Sequence, residues 1–92
     1  MIKVMFVCLG NICRSPMAEF VLKDMVKKQG VEKEFYIKSS ATSSEEIGND
    51  IHYGTRDKLI QKGISFTKRK AVKLRAEDYK KYDYIIGMEK SN

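Results

Sequence analysis

Cys8 and Arg14 are the two side chains whose types and spacing suggest chemistry. They stand six positions apart in "VCLGNICRSP", with Ser15 and Pro16 directly after. A thiolate is a strong nucleophile, and a guanidinium can hold two phosphate oxygens through its planar fork. A free thiol has a pKa near ~8.5 and is mostly protonated at neutral pH, so the sulfur needs donors around it. A Gly-containing loop ahead of a helix N-terminus supplies them by curling its N–H groups inward, and this makes an anion site. Cys8 then reads as a nucleophile activated without a neighbouring base, Arg14 as a phosphate clamp, and Ser15 as a hydroxyl donor to the sulfur. The main chain of Leu9, Gly10, Asn11, Ile12, Cys13 and Arg14 is the expected phosphate cradle. Asn11 can brace that loop through its side chain and take a left-handed backbone. Each residue alone has a plainer reading: Cys8 as an inert strand cysteine, Arg14 as a surface arginine at a helix start. The joint spacing favours the chemistry. Cys13 has two readings, a packing residue or the partner of Cys8 in a reversible disulfide that shields the nucleophile. In a reducing compartment that bond would be transient.

The elements that must position this loop follow from pattern. Ile2 to Val7 is apolar apart from Lys3 and rich in β-branched residues, as expected of a strand buried on both faces. Pro16 suits a first helical turn. Ala18, Val21, Leu22, Met25 and Val26 recur on one face up to Lys28, and Gly30 is a stop signal. Phe35 to Ser39 reads as a second strand, "SSATSSEEIGND" as a polar loop, and Thr55 to Lys62 as a second helix ended by Gly63. Glu77 to Lys81 is a short helix and Tyr84 to Met88 a third strand. The order predicts an α/β fold with a parallel open sheet and flanking helices. Ligands of such sheets bind beyond the carboxyl ends of the strands, where Cys8 stands.

Composition narrows the classes. Ninety-two residues at 42% hydrophobic and 33% charged make one globular domain, 1–92. No apolar run approaches the ~20 residues of a membrane helix, and the start lacks a signal-peptide pattern, so the expectation is cytoplasmic with no membrane partner. Two cysteines and one histidine, His52, are too few for a disulfide framework or a metal site. His52 reads as a surface or structural residue. The net charge of +6 is uneven: residues 1–46 carry +1 and residues 47–92 carry +5. "KRKAVKLR", residues 68–75, holds five cations and no acid. It reads as a solvated basic loop, with steering of an anionic partner as the other reading. No nucleic-acid motif accompanies it, so no nucleic acid is expected as a partner.

The longer string "VCLGNICRSPMAE" resembles the signature of the low-molecular-weight protein tyrosine phosphatases, Cys-x5-Arg-Ser with Gly and Asn inside the loop and Pro after the serine. "SSATSSEEIG", "TRDKLIQKGI" and "DYKKYDYIIGMEKSN" extend the resemblance along the chain. It implies a flavodoxin-like phosphatase fold and hydrolysis of a phosphotyrosine protein or small aryl phosphate through a phosphocysteine on Cys8. Arg14 would bind phosphate, Ser15 would assist the sulfur, Asn11 with Ser39 would brace the loop, and water would release inorganic phosphate. No metal or organic cofactor is implied. Ile12 stands where phosphoarginine-specific relatives carry threonine, which favours a tyrosine ester over an N-phosphate.

Several positions depart from the family pattern. Glu45 takes the place of a rim aromatic, with Tyr53 as a substitute. Lys68 falls about where some family members have a histidine that supports the loop. Glu89 replaces the aspartate of a Met-Asp-x-x-Asn turn. The resemblance also implies a general-acid aspartate, followed by proline, further along than Asn92. The chain is therefore expected to be a domain cut after its third strand, weak or inactive, and self-associating through the strand edge and helix surface left uncovered. Two other functions compete. A phosphocysteine carrier or other phosphate-binding module lacks the Arg-Ser pair. A thiol-coupled arsenate reductase needs cysteines downstream of Cys13, and there are none.

Overall fold

A computed structural model describes residues 1–88. The elements run in the order β1 (Ile2–Cys8), α1 (Arg14–Lys28), a 3-10 turn (Glu32–Glu34), β2 (Phe35–Ala41), α2 (Tyr53–Gln61), α3 (Asp78–Lys81) and β3 (Tyr84–Gly87). The expected α/β architecture with a parallel sheet is the one found. The strand order is β2-β1-β3, so the apolar β1 is central, and Val4, Met5, Val7 and Cys8 are buried. Both neighbours pair parallel to it, from Ile2↔Phe35 to Cys8↔Ala41 and from Val4↔Tyr84 to Val7↔Gly87. Cys8 is the last residue of the central strand, which delivers its side chain to the carboxyl edge of the sheet.

β2 extends to Ala41, two residues past the expected Ser39. Its polar serines are tolerated inside because local partners satisfy them: the Ser40 hydroxyl donates to Met5 Sδ at 3.3 Å, and Ser39 bonds side chains of α1 and the loop. Ala41 also bridges to Lys73, donating to the Val72 carbonyl at 2.7 Å and accepting from Leu74 N–H at 2.8 Å.

α1 lies across β1 and β2 and ends as expected. Gly30 takes φ +73, and the N–H groups of Gly30 and Val31 close onto the carbonyls of Lys27 and Val26. Its buried face is only partly the expected one. Ser15, Pro16, Glu19, Phe20 and Val26 are buried, Ala18, Val21 and Leu22 are half-buried, and Met25 is 56% exposed. The helix is turned by the need to aim Ser15 and Glu19 at the loop and Ser39. α2 begins at Tyr53, two residues early, because His52 caps it: Nδ1 accepts from Gly54 N–H at 3.1 Å. α3 begins at Asp78 instead of Glu77. β3 ends at Gly87, although Met88 N–H still donates to the Val7 carbonyl at 2.7 Å.

The basic segment 68–75 is not a free solvated loop. Ala71 is buried, its N–H donates to the Asn49 carbonyl at 2.6 Å, and its own carbonyl accepts from Gly48 N–H at 2.9 Å. The Glu89 turn lies outside the described residues. Among those residues no helix is long and apolar enough to cross a membrane.

Candidate active site

The loop from Leu9 to Cys13 joins the central strand to α1, and its shape is set from outside. In a trans peptide a carbonyl and the following N–H point in opposite directions. The Cys8 carbonyl is drawn outward by Thr42 N–H at 3.0 Å, that of Leu9 by Ser43 N–H at 3.0 Å, and that of Ile12 by His52 N–H at 2.7 Å. The Asn11 carbonyl accepts from Arg69 Nη2 at 2.6 Å, and the Cys13 carbonyl from Met17 N–H at 3.1 Å. Peptide planarity therefore turns the N–H groups of Gly10, Ile12, Cys13 and Arg14 away from those outer partners. Asn11, which takes φ +56, sends its own N–H to Cys8 Sγ at 3.3 Å. Gly10 is packed closely: a Cβ there would meet Glu46 Cγ at 3.2 Å.

The sulfur belongs to a buried residue: Cys8 is 4% exposed. Ser15 Oγ lies 3.0 Å from Sγ, and the Ser15 N–H donates to it at 3.4 Å. The N–H groups of a first helical turn lack intrahelical partners. Here Ser15 spends its own on the sulfur, Pro16 has none, and the positive end of the helix faces the same atom. Burial alone would push the Cys8 thiol up. The Ser15 hydroxyl and the N–H groups of Ser15, Asn11 and Gly10 outweigh it, and the pKa is lowered. The sulfur is therefore poised toward thiolate.

Asn11 is the hub of the support. It is fully buried, and Nδ2 donates to Ser15 Oγ and to Ser39 Oγ, each at 2.9 Å. Ser15 Oγ, accepting from Asn11, keeps its proton for the sulfur. Ser39 donates onward to Glu19 Oε1 at 2.6 Å, and Glu19 is paired with Lys23. On its other side Asn11 Oδ1 accepts from Val72 N–H at 3.1 Å and from Arg69 Nη2. Arg69 is half-buried; burial lowers its pKa against the opposing pull of Glu19, Asp50 and Cys8.

Most of the residues singled out from sequence meet here: Cys8, Asn11, Ser15 and Ser39 in one hydrogen-bonded chain, with Leu9, Gly10, Ile12 and Cys13 around it. Arg14 is exposed, and its Nη1 donates to the Met88 carbonyl at 3.0 Å, which ties the guanidinium to the end of β3. Cys13 is exposed, so its reading as a packing residue fails; both cysteines are free thiols. His52 has the structural role expected of it. Lys68 does not support the loop; that place belongs to its neighbour Arg69, because the chain from 69 to 71 runs alongside Asn49 and Asp50 and turns the odd-numbered residue inward. Glu45 is exposed, and Tyr53 is 66% exposed with its ring 4.3 Å from that of His52. Sequence reasoning missed Glu19, Arg69 and the N–H groups of Thr42, Ser43 and His52. Only Glu19 left a signal, as an acid four residues past Ser15 on the same helical face. Among the described residues no group of three His, Cys, Asp or Glu could hold a metal ion.

The family model for low molecular weight phosphotyrosine protein phosphatase matches residues 3–92. The chain belongs to that family. It is 45% identical to the low molecular weight protein-tyrosine-phosphatase YfkJ of Bacillus subtilis, over 100% of this chain and 59% of the relative. It is 48% identical to the low molecular weight phosphotyrosine protein phosphatase of Schizosaccharomyces pombe, over 99% of this chain and 58% of the relative. The crystal structure of YfkJ superposes with a TM-score of 0.93, over 97% of this chain and 56% of that one. The chain thus spans a little under three-fifths of these family members.

Proposed function

We infer that this chain carries the nucleophile and phosphate-binding half of a phosphotyrosine phosphatase. One observation supports it above the others: a buried cysteine, in the turn between β1 and α1, has a sulfur that accepts from the Ser15 hydroxyl and from two main-chain N–H groups. Cys8 attacks phosphorus in line with the tyrosine oxygen. The S–P bond forms as the P–O bond breaks, and the phenolic oxygen leaves with a proton from a general acid. The three phosphoryl oxygens are met by loop N–H groups and by Arg14, whose donors follow them into the transition state. Water then attacks the phosphocysteine, inorganic phosphate leaves, and the thiolate returns with its donors in place. Cys8 and Cys13 remain candidates for a protective disulfide. The apolar Ile12 at the loop supports a tyrosine ester over an N-phosphate.

The test is p-nitrophenyl phosphate turnover by the wild type, Cys8→Ser and Arg14→Ala, with vanadate binding measured in parallel. Loss of turnover in both variants, with one equivalent of phosphate trapped on Cys8 in the wild type, supports the enzyme. Tight vanadate binding without turnover or phosphocysteine would make it a binding module. A second copy could pair along β3, which among the described residues pairs only with β1 and exposes Tyr84 and Ile86. Light scattering across a concentration series checks this, and a constant monomer mass contradicts it.

A further inference from the structure

On the sheet face where Tyr36, Lys38 and Ser40 of β2 point, α3 and the segment before it roof a cleft of about 290 Å³. Its floor is Met5 and Ser40, both buried, whose sulfur and hydroxyl are already bonded to each other. Its walls bring together Lys38 from β2, Lys73 from the segment bridged to Ala41, and Lys81 from α3. None of these three lysines has an ion-pair partner among the described residues.

Of the two acids at the cleft, Glu77 Oε1 lies 3.3 Å from the Arg75 guanidinium, and Asp78 Oδ2 accepts from the Arg75 main-chain N–H at 2.9 Å. The lining therefore keeps a net positive charge. The tyrosines do not compensate the lysines either. Tyr36 and Tyr82 stack at 6.0 Å, and burial, then Tyr36 and Asp78, push the Tyr82 phenol up to about 12, so it stays neutral. What the rings offer is their faces. Lys38 Nζ lies 5.5 Å from the Tyr36 ring centre, and Lys81 Nζ lies 5.2 Å from that of Tyr36 and 5.6 Å from that of Tyr82. These contacts hold the ammonium groups of two separate elements at the cleft. Three like charges gathered on one hollow repel one another, and a multiply charged anion among them removes that cost. A single phosphate needs one or two such partners. Three cations around a hollow of roughly ten water volumes suit a chain of phosphates.

We propose that this cleft is a second anion site, separate from the loop at Cys8, and that it takes a small ligand with two or more adjacent phosphate groups. Ser39 and Val72 line it, and both also bond Asn11, so the two sites share a wall. The Tyr36 ring at the cleft offers apolar contact to an organic part of the ligand, so the phosphate chain can belong to inorganic polyphosphate or to a nucleotide.

The test is calorimetric titration of the chain with tripolyphosphate and, separately, with ATP. Arg14→Ala, which weakens the Cys8 loop as an anion site, should keep saturable binding of one equivalent. The triple variant K38Q/K73Q/K81Q should weaken binding at least tenfold, and K73Q alone by a smaller factor. K33Q/K58Q/K62Q, which removes the same charge from exposed positions elsewhere, should change it less than threefold. ATP binding more tightly than tripolyphosphate assigns the site to nucleotides; the reverse assigns it to polyphosphate. Abolition of all binding by Arg14→Ala, or equal losses in the two triple variants, would overturn the proposal. The ring signals of Tyr36 and Tyr82 in an NMR titration give a second readout: they should move with ligand in Arg14→Ala, and a ligand that binds without moving them also overturns it.

Discussion

The inner loop and the ring that surrounds it are built in opposite ways. From Cys8 to Ser15 the sulfur, the inward N–H groups and the hydroxyl are contiguous in sequence, and side-chain type is meaningful at almost every position. The outer ring is assembled from Thr42, Ser43, His52, Arg69 and Val72, which come from three separate stretches of chain and act mostly through main-chain N–H groups. On the proposed mechanism the inner set supplies chemistry, and the outer set supplies shape. A donor that points at the hollow does so because a carbonyl on the other side of its peptide is held.

The largest expected effect comes where the two sets join. Asn11→Ala removes the donors to Ser15 and Ser39 and the acceptor for Val72 and Arg69, and asks a residue with little tolerance for it to hold φ +56. Each buried partner left unpaired costs ~1–3 kcal/mol, so the loss is on the order of 3–5 kcal/mol of stability. Phosphatase turnover should fall by at least about a hundredfold, by analogy with loss of an oxyanion donor. Urea unfolding and p-nitrophenyl phosphate assays check both. If Asn11→Ala were to lose stability but keep full turnover, the loop would hold its shape without the hub, and the contrast between chemistry and shape would break.

Arg69→Gln tests the outer ring alone. It removes a cation from beneath the loop and the bond to the Asn11 carbonyl, while every inner residue stays. About a tenfold loss in kcat/KM is expected, with a smaller fall in stability and a weakened response to vanadate. Arg69→Lys keeps the charge but not the fork, so partial recovery would separate the electrostatic share from the geometric one.

The same contrast explains what the sequence disclosed. β1, the loop and the start of α1 were legible because strand pattern, Gly-Asn turn, helix-start proline and a Cys-x5-Arg spacing all point one way over sixteen residues. Arg69 was not, because only the register of 69–71 beside 49–50 decides which residue of Lys68-Arg69-Lys70 faces inward, and all three carry the same charge. The buried face of α1 was misjudged because hydrophobic spacing cannot anticipate that a glutamate is drawn inside by Ser39 and Lys23. β2 outran its expected end because Ser40 and Ala41 open a serine-rich run, and neither the Ser40 hydroxyl bond to Met5 nor the Ala41 bridge to Lys73 is visible in sequence.

Ser15→Ala sharpens the inner half. It removes the hydroxyl donor from the sulfur but leaves the Ser15 and Asn11 N–H groups in place. The Cys8 pKa should rise toward that of an ordinary thiol, seen as an upward shift in the pH profile of iodoacetamide alkylation, with turnover down about tenfold. The stability sign follows from the lowered pKa. In the wild type the thiolate's contribution is present above the ordinary thiol value and is lost as pH falls through the folded value. Ser15→Ala should flatten that part of the stability profile.

The smallest effect on catalysis is expected from Tyr82→Phe, which lies on the far side of the sheet and belongs to neither set. Its phenol titrates at about 12 in the folded chain, above the ordinary value of 10.0. For an acid raised in this way the folded state binds its proton more tightly, so the contribution is full below the unfolded value and is lost as pH rises from about 10 to about 12. An absorbance titration at alkaline pH should show one late phenolate step that Tyr82→Phe removes, while kcat/KM at neutral pH stays within about twofold. A larger loss of turnover would mean that the face opposite α1 reaches Asn11 through Ser39 and Val72, and that the shape of the loop is set from both faces of the sheet.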